Sequence, residues 1–241
     1  MSASLVGSEM CIRDRYEEVL QMKKEIVIGL SVLISASLPI SVYAAPNESM
    51  NSREFLIDET NEFEDIVKQI LDVKSKHPEW SEQRISDFMD QIHAIKKDGV
   101  IDIWNALTAS EKKLVIRYPF DALKVNKAKE IATKQTERKF GKNGLGDRSD
   151  AFRHGIWNAE MTVLIGSEKA ELFATAHEDK DTTGNESDGY TKDEHKKMDL
   201  HNNEIGRKLG ADNLSAPEEK MAEIIYDEIM REDSLFVWLH E

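Results

Sequence analysis

The 241-residue sequence predicts an all-α protein, and three observations carry that reading. Apolar residues recur at helical spacing in segment after segment, which places them on one face. Capping residues open these segments, and glycine or proline closes them. No stretch alternates apolar and polar positions with the β-branched content of a strand, and no repeat is apparent. The expected architecture is a multi-helix bundle: an N-terminal helical pair over 61–100, then a helical domain over 101–241 with a polar pocket between helices.

The chain begins with segments that lie outside such a fold. Leu5–Arg15 has neither helical nor strand period and resembles a sequencing-library adapter translated in frame, so residues 1–21 are expected to be a non-native leader. Met22–Ala44 shows two lysines, an apolar core and small residues at Val42-x-Ala44, the three-part pattern of a secretory signal peptide cleaved after Ala44. Residues 45–60 are polar and read as a flexible lead-in. Phe63, Ile66, Val67, Ile70 and Leu71 then mark the first helix. Ile85, Phe88, Met89, Ile92 and Ile95 mark the second, with Gly99 behind it. His77 precedes a proline and His93 adjoins the apolar stripe, which makes them turn and packing residues.

Thr108 or Ser110 ahead of Glu111 signals the next helix start, and Pro119 halts it. A further helix continues to Gly141, followed by a glycine-rich link that lacks the spacing of a phosphate loop. Three helices over about 149–164, 167–179 and 195–209 follow. A last amphipathic helix is expected from Pro217 through Ile229 to the terminal LFVWLHE.

Composition narrows function. From residue 45 onward, 28 Lys and Arg face 41 Asp and Glu, a net charge of −13. That balance argues against nucleic acid and against an anionic membrane surface as partners. The sole cysteine is Cys11, in the leader, so no disulfide or thiol nucleophile is expected beyond it. Export without disulfides fits a bacterium. No stable membrane anchor is expected once the signal peptide is removed, and the predicted location is secreted or extracellular.

Chemistry concentrates on the three helices. Asp150, His154 and Asn158 lie four residues apart and share a face beside Trp157, with Arg153 adjacent. A carboxylate one turn before a histidine can hold its imidazole in one tautomer, as a base or metal ligand requires. The same pair can also be a surface ion pair. His177 projects from the apolar side of the second helix. His177-Glu178-x-x-Asp181 is similar to a zinc helix, with aspartate where the second histidine belongs. On the third helix Asp199, Asn202, Asn203 and Gly206 share a face, while His201 points elsewhere. Asp179, Asp181, Thr183 and Gly184 match the start of a calcium loop, but Tyr190 stands where a bidentate glutamate belongs. A solvated acidic lid is the alternative for that loop.

The blocks SDAFRHGIWNAEM, ATAHED and KMDLHNNEIGRKLG, in this order, resemble a bacterial all-helical domain family of unknown function found in exported and toxin-like proteins. The resemblance covers roughly Leu107–Gly210. It implies that Arg153, His154, Trp157, His177, Glu178, Asp199, Asn202, Asn203, Gly206 and Arg207 belong to one constellation, and it supplies no reaction. Two functional readings stand. The first is an exported hydrolase with His154, His177, Glu178 and Asp199 as catalytic groups. His154, His177 and Asp199 would hold a divalent ion, zinc or calcium, and the substrate would be an envelope component or extracellular polymer. The second is a non-catalytic module in which the same cluster is a closed polar core or partner site. Solvent access to His154 and His177 separates them.

Overall fold

The computed structural model describes residues 55–94 and 103–241, with side chains from Glu62 onward. The segments read from sequence as leader and signal peptide, most of the segment read as a lead-in, and Ile95 and Gly99 lie outside the described residues. Nine helices occur among the described residues, with no strand beyond one isolated bridge between Asn185 and Thr191. The protein is all-α, as its periodicity predicts. Among the described residues no helix is long and apolar enough to cross a membrane.

The first four helices form a layer around a small core. Helix α1 (Phe55–Lys76) starts inside the segment read as a lead-in, because Phe55-Leu56-Ile57 extends the apolar pattern backward. It buries Phe63, Ile66, Val67 and Ile70. Helix α2 (Glu82–His93) is capped by Ser81 and buries Ile85 and Met89. His77 stacks on Trp80 at 4.0 Å, and His93 bonds Gln69 at 3.2 Å, so both serve packing. The one-turn α3 (Ile103–Ala106) inserts Trp104, whose indole N–H donates to Asp90 at 2.7 Å. Helix α4 (Ala109–Arg117) carries a full capping box between Thr108 and Glu111.

Helix α5 (Pro119–Phe140) starts with proline at its first turn and ends at Gly141, whose φ of 68° is left-handed. Helix α6 (Arg148–Ile165) is the buried axis of the second half and packs on α5, α7 (Ser167–His177), α8 (Lys192–Asp212) and α9 (Glu218–Ile229). Phe152, Ile156 and Met161 of α6 meet Met221, Ile225 and Ile229 of α9 in one core. The α6–α8 contact is the closest. A Cβ on Gly206 would fall 2.3 Å from the Gly155 carbonyl oxygen, and one on Gly210 would fall 2.7 Å from that of Ala159. The bare Cα of Gly206 thus admits the backbone of α6.

The final helix stops at Ile229, earlier than its sequence suggests. Residues 231–241 instead form a non-helical strap of turns and bends, bonded by side chains of α6 and α8. Asn202 donates to the Val237 carbonyl at 2.9 Å and accepts the Val237 N–H at 3.0 Å, satisfying both backbone groups. His201 is exposed, as expected, and bonds the Leu235 carbonyl at 2.7 Å. Phe236 is buried against Gly155, where a Cβ would fall 2.6 Å from its ring. These anchors give the apolar tail a burial site without a helical face.

Candidate functional site

Asp147 starts the site by capping α6. Its carboxylate accepts from the Ser149 and Asp150 amides, the Ser149 hydroxyl and Lys142. Burial pushes its pKa up, but these bonds win and hold it at about 2. The cap fixes the first turn of α6, and thereby Asp150. Asp150 is buried, accepts the Gly146 N–H at 2.7 Å through Oδ2, and accepts from Arg153 through Oδ1. Arg153 also donates to the Gly144 carbonyl at 3.0 Å, so it ties the link before α6 to the site.

One turn further, His154 Nδ1 lies 3.1 Å from Asn203 Oδ1. That oxygen also accepts from Asn158 Nδ2 at 2.6 Å, and Asn158 Oδ1 accepts from Arg207 at 3.1 Å. A carbonyl oxygen only accepts, so His154 donates from Nδ1 and, when neutral, carries its lone pair on Nε2. The tautomer is set by the amide of Asn203, not by Asp150 as the sequence suggests. Nε2 points at two carboxylates: Asp199 Oδ1 at 3.3 Å and Asp150 Oδ1 at 3.5 Å.

These three atoms are a candidate cation site. Among the described residues Asp150, His154 and Asp199 form the one group whose ligand atoms all lie within 4.8 Å of one another. Metal–ligand bonds of about 2.0–2.1 Å in a tetrahedron separate neighbouring ligands by about 3.3–3.5 Å, the two distances found here. Asp199 Oδ1 is buried without a hydrogen-bond partner, as is Glu178 Oε1, 4.0 Å from His154. Orphaned buried carboxylate oxygens are costly unless something positive meets them. Burial, reinforced by repulsion from Glu178 and Asp150, prevails over the attraction of His154 and pushes the Asp199 pKa up to about 6. An imidazole among the donors suits zinc better than calcium, which takes oxygen ligands.

His177 does not join this group. It sits at the C-terminal end of α7, and its Nδ1 lies 2.8 Å from Glu111 Oε1 while Lys180 Nζ approaches Nε2 at 3.1 Å. Docking of α4 against α7 redirects the ring: Thr108 of the α4 cap donates to the Ala176 carbonyl at 2.7 Å. Glu111 is 66 residues from its histidine, and in sequence it reads only as the third residue of a capping box. Burial raises its pKa, but the His177 bond and charge and the Thr108 amide outweigh that and keep it low. Trp157 stands between the two histidines, its ring 6.4 Å from His154 and 5.3 Å from His177, both edge-on.

The calcium-loop residues diverge. Asp179 accepts from Ser110 at 2.5 Å, whereas Asp181 closes a turn on Thr183 through its amide and hydroxyl. Their carboxylates are committed to separate local bonds, and the loop does not assemble an ion site from them. A second histidine pair, missed in the sequence, surrounds Asp188 in the same loop. His195 Nε2 lies 3.0 Å from Asp188 Oδ2, and His240 Nε2 of the strap lies 3.3 Å away. Gly146, with φ of 73°, fits beneath them. Its carbonyl accepts the Leu239 and His240 amides at 2.7 and 3.3 Å.

His154, His177, Glu178, Asp150 and Asp199 all line one cleft of about 380 Å³. Asn158, Asn202 and Asn203 are fully buried behind it. The predicted constellation thus divides into an accessible half of histidine and carboxylates and a closed half of amides. Fold and site define an all-helical domain with a carboxylate–histidine cluster flooring an open cleft. The model of a family described as a domain of unknown function (DUF6973) matches residues 112–233, and the chain belongs to that family. Every residue of the cluster and its amide backing lies in that span, whereas Glu111, the strap residues Phe236 and Val237, and His240 lie outside it. No curated protein and no solved structure matches the chain.

Proposed function

We propose that the protein is a metal-assisted hydrolase, exported from a bacterial cell and acting on an envelope or extracellular substrate. One observation carries the reading: on the floor of a cleft, His154 Nε2 stands at tetrahedral-edge spacing from Asp150 Oδ1 and Asp199 Oδ1, all three atoms lie within 4.8 Å of one another, and the Asp199 oxygen has no hydrogen-bond partner. Asp150, His154 and Asp199 would hold the ion, leaving a fourth position toward the cleft as catalytic sites do. A divalent cation bound there lowers the pKa of water and draws charge from an ester or amide oxygen.

The chain's own groups divide the remaining work. Asn203 holds His154 in its donor-at-Nδ1 tautomer. Glu178, which lines the cleft with its Oε1 buried and free of a hydrogen bond, would take a proton from water. His177, oriented by Glu111, is placed to return a proton to the leaving group from the cleft wall. Export and envelope substrate rest on the N-terminal pattern of residues 22–44.

The test is metal content of the purified full chain by mass spectrometry, with His154→Gln and Asp199→Asn compared by circular dichroism. One zinc-class ion per chain, lost in both variants at unchanged helicity, supports the reading. A wild type that holds no ion sinks it. The alternative, a non-catalytic polar core, draws on the closed Asn158–Asn203–Arg207 network and is favoured if both variants unfold.

A further inference from the structure

Three lysines line the same cleft as the carboxylate–histidine floor: Lys180 in the loop after α7, and Lys192 and Lys196 one turn apart on α8. Some helical lysines pair with a carboxylate three or four residues away, as Lys68 does with Asp65, Lys197 with Asp193 and Lys208 with Glu204. Among the described residues none of the three cleft lysines makes such a pair. Lys180 approaches an imidazole nitrogen instead, and Lys196, next in sequence to the paired Lys197, makes neither an ion pair nor a hydrogen bond. Both α8 lysines are half-buried and line the cleft.

The charge pattern gives this wall a meaning. Five carboxylates and four cationic side chains line the cleft, Arg153 being the fourth cation. Alone the cleft is slightly negative, and a divalent ion on the floor turns it positive. In a chain of net charge −14, such a cleft selects an anion that reaches both the floor and the lysine wall. A planar carboxylate is matched by the fork of arginine, but the only cleft arginine is committed to Asp150 and Gly144. Point-charge ammonium groups suit a tetrahedral phosphoryl group, whose non-bridging oxygens face several directions at once.

We infer, resting on the metal-assisted reading, that the group hydrolysed in this cleft is a phosphate ester, held by Lys180, Lys192 and Lys196. Water oxygen forms the new bond to phosphorus and the ester P–O bond breaks. Glu178 takes the proton from water, and the departing alkoxide takes one from the Lys180–His177 pair, with no change of oxidation state.

The experiment uses the full chain loaded with zinc, with metal content measured first. Inorganic phosphate is titrated calorimetrically into wild type, a Lys192→Ala/Lys196→Ala double variant, and Lys197→Ala as control. Turnover of bis-p-nitrophenyl phosphate is compared with that of p-nitrophenyl acetate. Phosphate binding that falls about tenfold or more in the double variant, with metal content and the Lys197→Ala control unchanged, supports the inference, since two charge-assisted contacts are lost together. Phosphate binding that is absent, or equal in wild type and double variant, overturns it while leaving the metal centre standing. Turnover of the acetate ester without the phosphate diester overturns it too. A metal-free wild type overturns both readings. Given turnover, phosphatidylglycerol vesicles set against a soluble phosphodiester tell a lipid headgroup from a free ester, and hydrolysis of either supports the inference.

Discussion

Asn203 Oδ1 accepts from His154 Nδ1 and from Asn158 Nδ2, so a single amide oxygen joins the accessible half of the site to its buried half. Removing it by Asn203→Ala leaves His154 free to change tautomer and takes from Asn158 Nδ2 one of its two acceptors, the other being the His154 carbonyl. Metal affinity is expected to fall roughly 10–100-fold, the usual effect of losing a group that orients a ligating histidine. Stability is expected to fall by about 1–3 kcal/mol. Metal competition and urea titration measure the two effects separately. Unchanged metal affinity in a folded variant would remove Asn203 from the site.

Helix α8 reaches α6 only because Gly206 and Gly210 lack side chains. Gly206→Ala gains about 1 kcal/mol of helix propensity, yet its methyl would meet a backbone carbonyl that cannot rotate away. The expected net result is destabilisation by about 1–3 kcal/mol, or more if the helices separate. Thermal unfolding checks the sign. A variant more stable than wild type would show that the helices part at little cost.

Glu160 gives the fold a pH dependence away from the cleft. Burial, helped by repulsion from Glu218, pushes its pKa up to about 7. The folded state therefore holds a proton that the unfolded state releases above about 4.5. The stability this contributes is complete below pH 4.5 and is lost as pH rises through 7, by at most roughly 3 kcal/mol. Glu160→Gln is expected to be more stable than wild type at pH 8 and similar to it at pH 5. Equal urea midpoints for the two proteins at both pH values would contradict the assignment.

The strap depends on Asn202. Asn202→Ala loses both bonds to Val237 and exposes two backbone groups at once, at an expected cost of about 1–3 kcal/mol. Limited proteolysis should then cut within 231–241 faster than in wild type, with the helical content unchanged. Equal cleavage rates would mean that Phe236 and the bonds to His201 and Gly146 seat the segment without Asn202.

What the sequence discloses here follows distance along the chain. The Asp150–His154–Asn158 line and the Asp199–Asn203 face are legible because residues four apart on a helix share a side whatever packs against it. The partners that complete them are not. Glu111 meets His177 across 66 residues, and Asp188 meets His240 across 52, distances at which no periodicity speaks. His177 was expected in the metal set because α7 carries it toward the other motifs. Its direction is instead decided by α4, whose capping box doubles as an orienting group. Asn202 shares its face with Asn203, yet one turns to the strap and the other to His154. The final apolar run has helical composition, but it is not helical, and Gly155, Asn202 and Gly146 supply the partners that its own backbone does not.

Gly146 gives its N–H to Asp150 and its carbonyl to the Leu239 and His240 amides. Through that one residue, seating of the C-terminal segment and placement of a cluster carboxylate are thermodynamically linked: whatever favours one favours the other by the same free energy. Hydrogen exchange at the Leu239 amide thereby becomes a remote gauge of occupancy, slowing when the cleft is filled, although Leu239 itself does not line the cleft.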